Sequence, residues 1–408
     1  MRADPSRSQP AERGRPHPCQ TNPCRPNPTG RTPARSRQMH HDHPSDAPAV
    51  LAPRPRPELM ELPEYRAGRP APVVRGLAPL KLSSNESTHD LDEATRSELL
   101  AGFEFNRYPD PLTTELRASI SERTGVPVDR IVTESGSLGA LRLLLDVIVP
   151  RVGERADVVY PWRSFEAYPI LTEVAGARGV AVPLGPAGAN DLEAMAAAIT
   201  DRTAAVLICT PNNPTGPVVT SAAFDRFMRS VPSDVLVVVD EAYSEFVDDP
   251  GALDGLSAFR AYPNVAVMRT FSKAYGLAGL RVGYAVVAPV IAAAMWRVRP
   301  TFAVTALAEH AAVRALDDRA GLAARVAEVR AGRRAVLEAL RAAGESPADS
   351  QSNFVWFEPE DPGGFEERAS AAAISVRRLG SGIRITIGDA AATERVLDVI
   401  SRERAAMR

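Results

Sequence analysis

In a chain of 408 residues whose Lys and Arg together number 48, lysine occurs only at Lys81 and Lys273. Lys273 stands in "RTFSKAYGLAGLRVGY", residues 269–284. What lysine offers there, and arginine does not, is an amine that condenses with an aldehyde. Thr270 and Ser272 flank it, and Arg281 follows eight residues on. Hydroxyls and a guanidinium are the groups that a phosphate binds.

Two other stretches offer matching chemistry. In "RIVTESGSLGALRLLL" an apolar run passes through Gly136 and Gly139 into a helical pattern, so the backbone N–H groups around Ser137 and Leu138 suit an anion. A Gly-Ser turn that only caps a helix reads equally well there. "DVLVVVDEAYSEF" ends an apolar run on Asp240, with Tyr243 three residues further; a carboxylate at such a point is either functional or a cap. "LICTPNNPTG" ends another run in a loop that two prolines and two asparagines make rigid enough to aim the Asn213 amide. An aldehyde-reactive lysine, phosphate ligands and a strand-end carboxylate together suggest pyridoxal phosphate, which needs a Schiff-base lysine, a phosphate cup and an acid for its pyridinium nitrogen.

These residues need a scaffold that brings chain segments far apart to one edge. "RIVTE", "ADVVYP", "GVAVPL", "AAVLICT", "DVLVVVD" and "NVAVMRT" are apolar runs of strand length, as expected for strands covered on both faces. Between them fall candidate helices at Leu138–Val149, Phe165–Ala175, Leu192–Ile199 and Ala222–Ser230. The alternation predicts an α/β fold, a mostly parallel sheet with helices on both faces, which binds ligands beyond the C-terminal strand ends. A helical stretch at Val290–Ala315, broken near Pro300, leads into a helix at Ala320–Ala343. The strands "SNFVWF" and "GIRITIG" and a last helix from Ala391 complete a smaller α+β domain. The expected boundaries are a tail at 1–57, an N-terminal arm at 58–80, a large cofactor-binding domain at 81–295 and a small domain at 296–408.

"CTPNNPTG", "DEAYSEF" and "TFSKAYGLAGLRVGY", in this order, together with "NRYPDP" at Asn106–Pro111 and "GIRITIG" at Gly382–Gly388, resemble the fold type I pyridoxal-phosphate aminotransferases of the histidinol-phosphate aminotransferase group. The resemblance spans about residues 60–400, and "YPWRSFEAYPI" and "SQSNFVWF" are most similar to its actinobacterial aromatic, or phenylalanine, branch. It implies that Lys273 carries the Schiff base and that Asp240 pairs with the pyridine nitrogen. Tyr243 and Asn213 would bond the ring hydroxyl. Ser137, Leu138, Thr270, Ser272 and Arg281 would bind the phosphate, and Phe165 would stack on the ring. Tyr108 would reach the cofactor of a second subunit, which implies a homodimer. Arg384 would clamp the substrate carboxylate, or the phosphate of histidinol phosphate, with Arg377, Asn213 and Asn353 as further substrate contacts. No metal is implied.

Two departures from the family's pattern concern the substrate. The first motif continues as "NEST", Asn85–Thr88, where Asn-Pro is usual, and the loop between Arg377 and Arg384 is short. The second departure disfavours a phosphate held by two arginines. Arg377 and Arg378 also read as solvated surface arginines. Lys81 reads as a lysine near the site entrance, Cys209 as core, Trp162 and Tyr168 as packing residues first, and His89 and His310 as surface or packing residues.

Residues 1–57 hold 13 of the 36 prolines and no run that repays the entropy of ordering, so they read as disordered. His17, Cys19, Cys24, His40, His41 and His43 lie there, in a spacing that fits no standard zinc pattern. Met60 opens "MELPEYRAGRPAP", which reads as an alternative start that N-terminal sequencing of the native protein would test. A net charge of -2 and a pI near 6.4 show no overall footprint for nucleic acid or membrane. Three cysteines and no apolar leader predict a cytoplasmic protein. The expected activity moves the amino group of an aromatic L-amino acid to 2-oxoglutarate by a ping-pong mechanism, within amino-acid biosynthesis. Histidinol phosphate in histidine biosynthesis is the alternative donor, and decarboxylation on the same fold is the second class. A DNA-binding regulator would need a folded helix-turn-helix module, which a Pro-rich tail does not supply.

Overall fold

The computed structural model describes residues 55–62, 68–150 and 156–406; the tail's disorder and its Cys/His group lie outside the described residues, apart from the last few residues of the 1–57 segment. A two-residue strand, β1 (Leu80–Lys81), precedes the large sheet. That sheet comprises β2 (Ile131–Glu134), β3 (Asp157–Trp162), β4 (Arg178–Pro183), β5 (Thr203–Cys209), β6 (Leu236–Asp240), β7 (Val265–Thr270) and β8 (Gly283–Val286). Their spatial order is β2-β8-β7-β6-β5-β3-β4. Only β8 runs against its neighbours, so β2 to β7 all point the same way and their C-terminal ends share one edge.

Residue alternation along the central strands explains why they are continuously apolar. Val237 and Val239 of β6, with Val206 and Ile208 of β5, pack on one side against Leu116 and Ile120 of helix Thr114–Thr124 and Phe224 and Phe227 of helix Ser221–Met228. Leu236 and Val238, with Ala205 and Leu207, pack on the other side against Leu144 of helix Gly136–Ile148 and Leu171 of helix Ala167–Ala175. Both faces are thus removed from water, and the helices act as crossovers between parallel strands.

The structure corrects the strand reading at two places. "GVAVPL" was expected to be covered on both faces, yet β4 is the sheet's edge, with Arg178, Gly179, Ala181 and Pro183 exposed. A short apolar run carries no mark of whether it has one neighbour or two. The antiparallel β8 adds a strand beyond the six expected runs, inside the glycine-rich segment after Lys273.

Helix Pro289–Val298 ends before Pro300, and a second helix, Ala306–Asp317, starts after the break, capped by Thr305 Oγ1 accepting from the Ala308 N–H at 3.1 Å. Arg299, in the break, is buried; its Nε lies 3.3 Å from Glu134 and also donates to Thr133 O at 2.9 Å. The 24-residue helix Arg319–Ala342 then packs over a second sheet. Its strands are β9 (Phe354–Phe357), β11 (Arg377–Leu379) and β12 (Gly382–Thr386), antiparallel in the order β11-β12-β9. β10 (Ile374–Ser375) pairs in parallel with β1. Among the described residues no helix is long and apolar enough to cross a membrane.

Candidate active site

Strands β5, β6 and β7 end at a cavity of about 430 Å³, and β11 and β12 of the small sheet contribute to its wall. Lys273, Asp240, Tyr243, Ser137, Leu138, Phe165, Asn213, Thr270, Ser272, Arg281, Arg377 and Arg384 all line it. Among these residues the most distant, Ser137 and Arg384, are 247 positions apart in the chain, and they meet because strand ends converge.

One end of the cavity is built from donors. Helix Gly136–Ile148 starts directly after β2, and Ser135 at its N-cap makes no capping bond, so the first-turn N–H groups stay directed at the cavity. Gly136 has φ +76°, and a Cβ there would come within 2.7 Å of the Arg281 guanidinium. A Cβ on Gly283 would sit 2.5 Å from the Ser137 nitrogen. Glycine at these two positions lets helix start, Arg281 and β8 close together. Arg281 Nη1 donates to Ser272 Oγ at 3.1 Å, and Thr270 Oγ1 donates to the same oxygen at 3.0 Å.

Lys273 points toward the centre, with Nζ 3.3 Å from Ser84 O and 5.8 Å from the Tyr243 ring centre. Burial is the main cause that lowers its pKa to about 7; the charges of Arg384, Arg281 and Lys81 act in the same sense and Glu86 opposes them. Asp240 lies at the end of β6. Its Oδ2 accepts from the Tyr168 hydroxyl at 2.9 Å, while the buried Oδ1 has no hydrogen-bond donor among the described residues. Burial raises the Asp240 carboxyl to about 6, against the pull of the Tyr168 hydroxyl and the Ala242 N–H.

Tyr243 accepts a bond from Asn85 Nδ2 at 3.0 Å and is held edge-on to Phe354 at 5.1 Å. Burial moves its phenol well above the ordinary value. Asn85 has φ 55°, accepts from Asn353 Nδ2 at its carbonyl, and bonds Thr386 through its own N–H at 2.9 Å. The unusual "NEST" segment is thus pinned to β12 and to Tyr243. Asn213 accepts from Arg384 Nη1, and Arg384 Nη2 donates to Ser83 O at 2.9 Å. The preceding Asn212 fixes the loop, accepting from Ser164 and donating to Thr215, each at 2.7 Å.

One expected substrate contact lies elsewhere: Asn353 is buried behind the wall, turned on the Asn85 carbonyl rather than into the main cavity. Tyr108, expected to serve a second subunit, is 82% exposed and stacks on Phe302 at 4.5 Å, outside this chain's own cavity. Other readings change as well. Tyr168 packs edge-to-face on Phe165 at 5.7 Å, as a packing residue would, but also holds the Asp240 carboxylate. Arg377 is no free surface arginine: it pairs with Glu166 at 2.8 Å on the cavity wall. Lys81 pairs with Glu86, and His89 faces Glu328, each at 2.9 Å.

The functional residues missed from sequence are Asn85 as a partner of Tyr243, Tyr168 and Glu166. Tyr168 follows Phe165 by three residues, one helical turn, and that spacing was the available signal. For Glu166 no signal existed, since its partner lies 211 residues away.

Comparison with known proteins agrees with this geometry. Residues 78–400 match the sequence model of the family "Aminotransferase class I and II". The aromatic amino acid aminotransferase of Streptomyces coelicolor is 45% identical over 351 residues, 85% of this chain and 97% of that protein. The aromatic amino acid aminotransferase of Rhodococcus jostii is 42% identical, covering 85% and 95%. Among solved structures, a histidinol-phosphate aminotransferase from Sinorhizobium meliloti in complex with pyridoxal-5'-phosphate superposes with a TM-score of 0.73 at 25% identity, covering 81% of this chain and 92% of that one. A putative histidinol-phosphate aminotransferase from Erwinia carotovora shows the same fold, with a TM-score of 0.75 at 24% identity over 81% and 97% of the two chains. The match runs from before β1 into the last helix and takes in every strand that delivers a residue to the cavity; the chain belongs to the class I and II aminotransferase family.

Proposed function

We propose that this aminotransferase uses pyridoxal phosphate to move the amino group of an aromatic L-amino acid to 2-oxoglutarate. The observation that carries the reading is one cavity lined by both an amine of lowered pKa, Lys273, and a buried carboxylate, Asp240, whose Oδ1 has no hydrogen-bond partner among the described residues. The cofactor fits these residues. Its phosphate suits the N–H groups of Ser137 and Leu138 with Thr270, Ser272 and Arg281, and a protonated ring nitrogen suits Asp240 Oδ1. The names of the relatives at 42–45% identity support the aromatic donor.

When bound, pyridoxal phosphate supplies an electron-accepting ring for the electrons released with the substrate's α-proton. Asp240, ionised and buried, would hold the ring-nitrogen proton. Lys273 is the group that would hold the cofactor's aldehyde through its unprotonated amine, and the same amine would serve as the base that takes the substrate's α-proton and returns it one position away. Arg384 directs a planar guanidinium at the substrate carboxylate, with Asn213 and Ser83 O fixing its orientation. Phe165, on the cavity wall and held edge-to-face by Tyr168, would cover one face of the ring. Tyr108 is exposed, as are Leu100, Phe105 and Leu112 in the same stretch of chain, and a second copy of the chain that covered Tyr108 would bring it to that copy's cofactor. Light scattering should then give a dimer mass, and a monomer that is active would remove Tyr108 from this role.

The deciding experiment is the absorption spectrum of the cofactor-loaded protein, with L-phenylalanine and histidinol phosphate added in separate cuvettes without any oxoacid. Phenylalanine should convert the cofactor to its amine form, and 2-oxoglutarate should restore the starting spectrum. Conversion by histidinol phosphate alone would replace the aromatic reading.

A further inference from the structure

Glu134 ends β2, directly before the helix start that faces the cavity. Its side chain turns back on that start: Oε1 accepts from the Ser135 N–H at 2.9 Å, and a Cβ on Gly139 would come within 2.8 Å of Glu134 Cγ. Ser135 is the N-cap, so this carboxylate sits at the same positive helix end that suits an anion. With the side chain only 6% exposed, water does little to screen the charge. Left alone, it would repel a phosphate held by Ser137, Leu138, Thr270, Ser272 and Arg281.

A cation faces it from the break between helices Pro289–Val298 and Ala306–Asp317. Arg299 has a side chain 3% exposed, and its Nε lies 3.3 Å from Glu134 Oε2. Two carbonyls aim the guanidinium: Nε donates to Thr133 O and Nη1 to Pro111 O, each at 2.9 Å. Of the acidic groups around it, Glu134 acts on it most strongly, ahead of Asp110 and Glu309. Ser135 Oγ donates to Ala303 O at 2.8 Å, which ties the same break to the helix start. Neither Arg299 nor Glu134 lines the cavity.

We infer that Arg299 is a positioning residue for the phosphate end of the site, neutralising Glu134 so that the helix start keeps its positive end for an anion. It acts through the helix and touches no ligand. This inference rests on the phosphate reading of that helix start and names what keeps it competent.

The test compares pyridoxal phosphate with pyridoxal, which carries the same ring and aldehyde without the phosphate. Fluorescence titration of the cofactor-free full chain gives both affinities, and inorganic phosphate serves as competitor. The proteins are the parent, Glu134→Gln, Arg299→Lys, Arg299→Met and Glu134→Gln/Arg299→Met. In Arg299→Met the preference for pyridoxal phosphate over pyridoxal should fall roughly tenfold, the scale of a poorly screened charge acting on a dianion, and phosphate should compete more weakly. Arg299→Lys keeps the charge and should keep the preference, the double variant should restore it, and Glu134→Gln should raise it a few-fold. A purely structural role would lower both affinities alike and would not be rescued by Glu134→Gln. An unchanged preference in Arg299→Met, or a loss that the double variant does not restore, would overturn the inference. Where Arg299→Met does not fold, Glu134→Gln decides, and the absence of a rise there counts against it. A parent that shows no preference for pyridoxal phosphate overturns the cofactor reading as well, an outcome distinct from a preference that is present and equal in every variant.

Discussion

The Tyr168 hydroxyl donates to Asp240 Oδ2 at 2.9 Å inside the protein, one helical turn past the Phe165 ring that lines the cavity. Tyr168 is fully buried, and burial and the neighbouring carboxylate keep its phenol protonated. It therefore remains a donor throughout the working range, and it is the main force holding the Asp240 pKa down against burial. Tyr168→Phe removes that donor. A hydrogen bond to a charged group is worth about 1.5 kcal/mol, or about one pKa unit. The acid limb of pyridoxal phosphate affinity, expected near pH 6 in the parent, should move up by about that unit. Fluorescence titrations of cofactor-free protein from pH 5 to 9 would read it; a loss uniform in pH would assign Tyr168 to packing alone.

Lys273 should react as an amine at neutral pH. Its pKa is lowered to about 7 by burial and neighbouring cations, so most of it is unprotonated at pH 8. With only two lysines in the chain, acylation of cofactor-free protein followed by peptide mass mapping separates Lys273 from Lys81 without further mutation. The labelling midpoint of Lys273 should fall near pH 7, and a midpoint near 10 would contradict the site's electrostatics. The sign for stability follows. Between about pH 7 and the ordinary lysine value near 10.5, the unfolded chain holds a proton that the folded chain has lost, so this residue's contribution to stability rises with pH across that window. Lys273→Met should flatten the rise.

Replacement of the two central residues should separate binding from chemistry. Lys273→Ala should still bind pyridoxal phosphate without a covalent link, and its turnover should fall roughly 10³-fold. Asp240→Ala should fall by a comparable factor and bind the cofactor more weakly. Near-normal steady-state rates in either variant would sink the assigned roles.

Asn85 combines a left-handed backbone, φ 55°, with a buried bond to Tyr243. Asn85→Ala should cost about 2 kcal/mol, from the steric penalty of that conformation and the lost bond together. Asn85→Gly keeps the left-handed backbone unstrained while removing the side chain's bonds to Tyr243 and Thr386, and should cost less than Asn85→Ala. Urea denaturation of the cofactor-free protein compares them, and equal, negligible effects would show that the segment is not held through this residue.

Much of the site was legible because its residues stand at the ends of apolar runs. Asp240 after "VLVVV", Thr270 after "VAVM" and the Gly136 turn after "IVTE" are positions where a parallel sheet delivers groups to one edge, and the structure places them there. The helices at Ala167–Ala175 and Arg319–Ala342 and the break near Pro300 were readable from periodicity and proline in the same way. β4 was misread because exposure at a sheet edge depends on which strands pair, and β8 was missed because four residues after a glycine-rich turn carry too little pattern.

The types and order of the residues by themselves pointed to the class of chemistry: a lysine where arginine is otherwise used, a strand-end aspartate and a glycine-bounded helix start that suits an anion can be recognised one segment at a time. Only the tertiary structure decided which groups restrain them. Tyr168 holds Asp240 across 72 residues, Asn85 holds Tyr243 across 158, and Glu166 holds Arg377 across 211. These pairs follow from how the large sheet, its helices and the small sheet pack, and no local period in the chain encodes a contact made between segments that far apart.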